Sequence, residues 1–127
     1  MLSNPLIKLN FDDRILQVTF LKDAEIDIAD LRVIYEYGRN MANGKKYGII
    51  FFAEGHYVVT PDAIDFIIDN PEHQDLAGKV YVANSTEAEN KIKRHLVFDT
   101  PTLTPHVCRN HDEGMTWLRN KLTGISV

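Results

Sequence analysis

The run Lys46-Tyr-Gly-Ile-Ile-Phe-Phe-Ala53 constrains the fold of this chain more than any other stretch. From Tyr47 to Ala53 it is rich in β-branched and aromatic residues, too short for a stable helix, and lacks the alternation that would leave one face in water. Such a run predicts a central strand buried on both faces, and therefore a parallel sheet covered on both sides. Next comes the loop Glu54-Gly-His-Tyr-Val-Val59, then Thr60-Pro-Asp62, which reads as a helix start. Thr60 stands at the N-cap, and Pro61 fills the first helical position, where a missing N–H costs nothing. Loops after parallel strands are where such folds gather their functional groups, so Glu54–Asp62 is the natural place to seek a site.

Elements on either side of this junction follow from period and punctuation. Leu6 to Phe11 alternates, with Ile7, Leu9 and Phe11 on one face and Lys8 and Asn10 on the other. Asp12-Asp13-Arg14 supplies a tight turn, and Ile15 to Leu21 returns as the second strand of a hairpin. Asp27 caps a helix whose inward stripe is Leu31, Ile34, Tyr35, Gly38 and Met41, stopped by Asn43-Gly44. A second helix, Pro61 to about Asn70, carries Ile64, Ile67 and Ile68 inward and ends at Pro71. Val80 to Ala83 is a fourth strand. Ser85-Thr-Glu-Ala-Glu89 offers overlapping capping signals, Thr86 with Glu89 at capping-box spacing among them, for a helix to about Phe98 with Ala88, Ile92, His95 and Leu96 facing in. After the loop 99–105, His106 to Arg109 is a fifth strand, and Asn110 caps a last helix carrying Met115, Leu118 and Leu122.

This order is β-β-α-β-α-β-α-β-α over residues 1–127, read as a single domain. It predicts an α/β fold with an N-terminal hairpin, about five strands in a mixed, mostly parallel sheet, and four helices. The formal net charge of −4 and the scatter of Lys and Arg argue against a nucleic-acid footprint. Lys91, Lys93 and Arg94 are the densest basic group and read as a solvated helix face. One cysteine allows no intrachain disulfide. No signal-peptide pattern opens the sequence, and no apolar run approaches the roughly 20 residues that cross a bilayer, so a cytoplasmic location without membrane insertion is expected.

On the hairpin Leu6–Leu21, the helix Asp27–Asn43, the strand Lys46–Ala53, the segment Lys79-Val-Tyr-Val-Ala-Asn84 and the ending His111-Asp-Glu-Gly-Met-Thr-Trp-Leu118, the chain resembles STAS-like domains. These include anti-sigma-factor antagonists, sulfate-transporter tails and, more closely, small bacterial proteins that carry such a domain alone. The resemblance spans nearly the whole length, and the order of elements carries it. It implies a protein-interaction domain in signalling or regulation. In the antagonists an Asp-Ser-Ser-Gly-like turn opens the second helix, and a serine there is phosphorylated. Here the stretch is Val58-Val-Thr-Pro-Asp-Ala63, with Pro61 and Asp62 in place of the serines and Ala63 in place of the glycine. The resemblance therefore implies a STAS-like domain without an intact phosphoserine switch. Thr60 is the only hydroxyl; it is either a phosphoacceptor or a cap. Asp62 is either a fixed negative charge or a favourable first-turn carboxylate, the reading that helix electrostatics favours.

Chemical constellations are sparse. Histidines 56, 73, 95, 106 and 111 have no metal-ligand spacing, so neither metal nor cofactor is expected. Glu54 and His56 are an acid–base pair without a nucleophile, and Cys108 with His106 lies on a strand where the side chains diverge. Asn43-Gly-Lys-Lys46 precedes a strand where a phosphate loop would lead into a helix. Asn84-Ser-Thr86 is the best anion-binding helix start, and capping accounts for the same residues. Tyr57, Val58 and Val59 are unusual apolar residues for a loop; they either fold onto the core or form a patch for a partner. The expectation is a non-enzymatic interaction domain with no catalytic residues. Its protein partner meets Glu54, His56, Tyr57, Val58, Val59, Thr60 and Asp62. A small-molecule or lipid-binding module is the alternative, and pairing through the hairpin edge would give a homodimer.

Overall fold

The computed structural model describes residues 4–69, 76–90 and 105–125. Strands β1 (Ile7–Asp12) and β2 (Ile15–Phe20) form the antiparallel hairpin. Its two turn residues, Asp13 and Arg14, both have positive φ (54° and 61°), the pairing that matches the twist of a two-residue hairpin. Neither is glycine, so the turn is held from outside. The Arg14 guanidinium donates twice to the Lys46 carbonyl, at 2.7 and 3.0 Å, and the Gly48 amide donates to the Arg14 carbonyl at 2.9 Å.

After β3 (Ala24–Ile26) comes α1 (Ile28–Ala42). Asp27 accepts from the Asp30 amide at 2.9 Å, and the Asp30 carboxylate accepts from the Asp27 amide at 3.1 Å, a reciprocal capping box. Asn43 ends the helix at φ 53°, as its sequence position suggests. The inward stripe differs at its last member: Ala42 is buried and Met41 is exposed. At 3.6 residues per turn, eleven residues after Leu31 closes three turns almost evenly, while ten falls well off the stripe.

β4 (Tyr47–Ala53), β5 (Tyr57–Val59), α2 (Pro61–Asp69) and β6 (Leu76–Val82) follow; residues 86–90 begin α3, and β7 (His106–Cys108) leads into α4 (His111–Ile125). The main sheet has the order β1-β2-β4-β6-β7, with β1 antiparallel and the rest parallel, so the fold is the expected α/β layer structure. The stripe of Ile64, Ile67 and Ile68, the continuation of α3 to Phe98 with Ile92, His95 and Leu96, and the Lys91, Lys93 and Arg94 group lie outside the described residues or side chains. Of the overlapping capping signals in Ser85–Glu89, Ser85 is one that is used: its hydroxyl accepts from the Ala88 amide at 3.1 Å. β6 begins four residues before the expected start, because Lys79 is wholly buried where a lysine reads as solvent-facing.

Two cores lie on opposite faces. On one, Leu16, Val18, Phe20, Ile49 and Phe51 meet Leu31, Ile34 and Tyr35 of α1 and Ala63 of α2. On the other, Ile15, Ile50, Val80, Val82 and Cys108 meet Met115, Leu118 and Leu122 of α4. Each long helix approaches the sheet through one glycine. A Cβ on Gly38 would stand 2.6 Å from the Tyr47 ring, and one on Gly114 would stand 2.7 Å from Ile50 Cδ1. No described helix is long and apolar enough to cross a membrane.

Candidate functional site

β2 and β4 run parallel and end side by side, so the chain leaves the sheet twice at the same edge. The two exits then pair with each other. Ala24, Glu25 and Ile26 of β3 lie in parallel register with Tyr57, Val58 and Val59 of β5, forming a second, two-stranded sheet. This small sheet is bonded at both ends: the Asp23 amide donates to the His56 carbonyl at 2.7 Å, and the Thr60 amide donates to the Ile26 carbonyl at 3.0 Å. The Glu54 amide donates to the Phe20 carbonyl at 2.9 Å, which ties the intervening bend to β2.

Strand geometry then sorts the apolar residues that looked out of place in a loop. Alternation turns Tyr57 and Val59 onto the first core and Val58 outward. The Tyr57 ring lies 5.4 Å from Phe20, Phe20 lies 5.8 Å from Phe51, and Phe51 stacks on Tyr81 at 5.4 Å. Four rings therefore run from the small sheet across β2 and β4 to β6. Burial raises the Tyr57 phenol above its ordinary pKa. Val58 is 48% exposed; among the described residues only Met41 is a comparably exposed large apolar side chain.

The polar members divide in the same way. Glu54 and His56 are exposed on the bend before β5. Thr60 is half-buried, and its hydroxyl donates to the Asp62 carboxylate, which also accepts from the Ala63 amide at 2.9 Å. Thr60 and Asp62 thus open α2 as a linked pair. That contact uses the hydrogen of the Thr60 hydroxyl.

The seven expected residues are contiguous on one edge, but only Glu54, His56, Val58 and Asp62 present mainly to solvent. Elsewhere, His106 stacks on Trp117 with centroids 4.8 Å apart, while the Cys108 thiol donates to the Asn110 carbonyl at 3.3 Å. The two are engaged with different partners. Among the described residues, no group of three or more His, Cys, Asp or Glu side chains is placed to hold a metal ion.

Sequence reasoning passed over Lys79. It lies on the α1/α2 side of β6, wholly buried, with its ammonium 5.3 Å from the Tyr81 ring centroid. The signal was present as a lysine flanked by Leu76-Ala-Gly and Val-Tyr-Val82, an apolar run too long for its charge to mark a boundary. No protein-family model matches the sequence, and no curated protein matches it.

Proposed function

We propose that this chain is a STAS-like, non-enzymatic interaction domain of a signalling or regulatory system in the cytoplasm, and that its protein partner docks on Glu54, His56, Val58 and the opening of α2. The observation that carries this reading is Val58: a large apolar side chain held outward by a hydrogen-bonded strand, flanked by exposed polar and charged groups. An apolar contact ringed by polar residues on a fixed backbone is what a recognition surface needs, because little ordering cost remains for binding. The order of elements and the position of this surface beside α2 support the STAS-like reading. Asp62, joined to Thr60, adds an exposed carboxylate to this surface.

The test is affinity capture from lysate of the source organism, comparing the parent with Val58→Asp and with Met41→Asp. The second variant changes Met41, the other exposed large apolar side chain among the described residues, and serves as a control. Loss of one defined protein with Val58→Asp but not with Met41→Asp supports the proposal. Equal retention by all three places recognition elsewhere, and retention of nothing by the parent favours the small-molecule or lipid reading.

A further inference from the structure

β1 is an edge of the main sheet, and among the described residues it pairs with β2 alone. The hairpin register fixes which of its backbone groups face outward. The Leu21 amide donates to the Leu6 carbonyl, so residues 6, 8, 10 and 12 are bonded toward β2. The N–H and C=O groups of Leu9 and Phe11 therefore point away from the sheet. On the face not covered by α1, β1 presents Lys8, Asn10 and Asp12, all exposed. Directly across β2 from the two charges stand Thr19 and Ile15, neither of which is charged.

We propose that β1 pairs antiparallel with β1 of a second copy of this chain, about a two-fold axis through Asn10, joining the two sheets into one. The chemistry that selects this partner is the strand's complementarity to its own reverse. With Asn10 opposite Asn10, Lys8 lies opposite Asp12 of the second copy, and Asp12 opposite its Lys8. Leu9 and Phe11 then face each other as hydrogen-bonded pairs, using the outward groups of both strands. The two ion pairs fall at the non-hydrogen-bonded positions, where side chains approach most closely. Other two-fold registers lose this match. An axis through Lys8 or Asp12 sets like charges together, and an axis through Leu9 or Phe11 pairs no opposite charges. A lysine on an edge strand ordinarily discourages pairing, but here the reversed copy supplies its carboxylate. The axis stands perpendicular to the sheet, so α1 of each copy stays on the same side and the Glu54–Asp62 edges remain open.

Sedimentation equilibrium over a wide concentration range tests the proposal, with Lys8→Asp, Asp12→Lys and the double variant compared with the parent. The parent dimerises. Each single reversal raises the dissociation constant about tenfold or more, and the double variant returns to within about threefold of the parent. Hydrogen exchange on the unmodified protein gives a readout independent of any variant: the Leu9 and Phe11 amides become protected as concentration rises. A parent that stays monomeric throughout overturns the proposal. So does a dimer that ignores the single reversals, or one that the double variant fails to restore.

Discussion

Parallel pairing joins β3 to β5 and every strand of the main sheet except β1, yet the two sheets differ in what holds them. The main sheet is stabilised by two apolar faces, with α1 and α2 on one and α4 on the other. The small sheet has strands of only three residues and one buried side. It exists because β2 and β4 deliver two chains to the same edge in the same direction, and hydrogen bonds at Asp23 and Thr60 close it. Its inward residues, Ala24, Ile26, Tyr57 and Val59, extend the first core, and its outward ones, Glu25 and Val58, meet solvent. A candidate recognition surface can thus be rigid without belonging to the principal sheet, provided that its other side is packed.

This comparison can be broken from either side. Leu118 is fully buried at the centre of the α4 face, and its replacement by alanine is expected to cost about 3 kcal/mol in denaturant unfolding. If the small sheet is an extension of the core, Ile26→Ala, at a site equally buried, costs a similar amount, about 2–4 kcal/mol. A much smaller loss there would mark the small sheet as a loosely attached loop. Val58→Asp, by contrast, is expected to change stability by no more than about 0.5 kcal/mol, since the side chain faces water.

The smallest effect is a pH dependence. Burial holds the Tyr57 phenol protonated beyond its ordinary range, so the folded state disfavours the phenolate. The folded pKa lies above the unfolded one. The associated stability is fully present below about pH 10 and is lost as pH rises through the folded value. Unfolding midpoints measured upward from neutral pH should fall less steeply in Tyr57→Phe than in the parent. Cys108 behaves in the same sense on the other face, its thiol raised first by burial and then by the Glu113 charge, with bonds to Asn110 and Gly114 opposing.

Legibility in the sequence follows the same division. Long periodic or continuous apolar elements could be read directly: the hairpin, the central strand Tyr47–Ala53, and α1 from its Asp27 cap to Asn43. Each carries enough residues for its period to show. β3 and β5 could not, because three residues establish no period, and their pairing depends on where β2 and β4 end. The unusual apolar character of Tyr57-Val-Val59 was visible, but the alternation that sends Tyr57 and Val59 inward appears only once the segment is known to be a strand. Lys79 misled for a different reason. Its charge suggests an exposed position, whereas it is wholly buried with its ammonium beside the Tyr81 ring. Met41 shows the finer limit of helical spacing, where one residue of drift over three turns exchanges it with Ala42.

The central claim is that Glu54–Asp62 is a fixed surface, held by the small sheet, with Val58 on its outer side. Native-state hydrogen exchange at the Asp23 and Thr60 amides tests it most directly, because these two groups close that sheet at its ends. Both are expected to be protected and to open with free energies close to those of amides in β4. Exchange at the rate of an unstructured loop, while β4 stays protected, would contradict it.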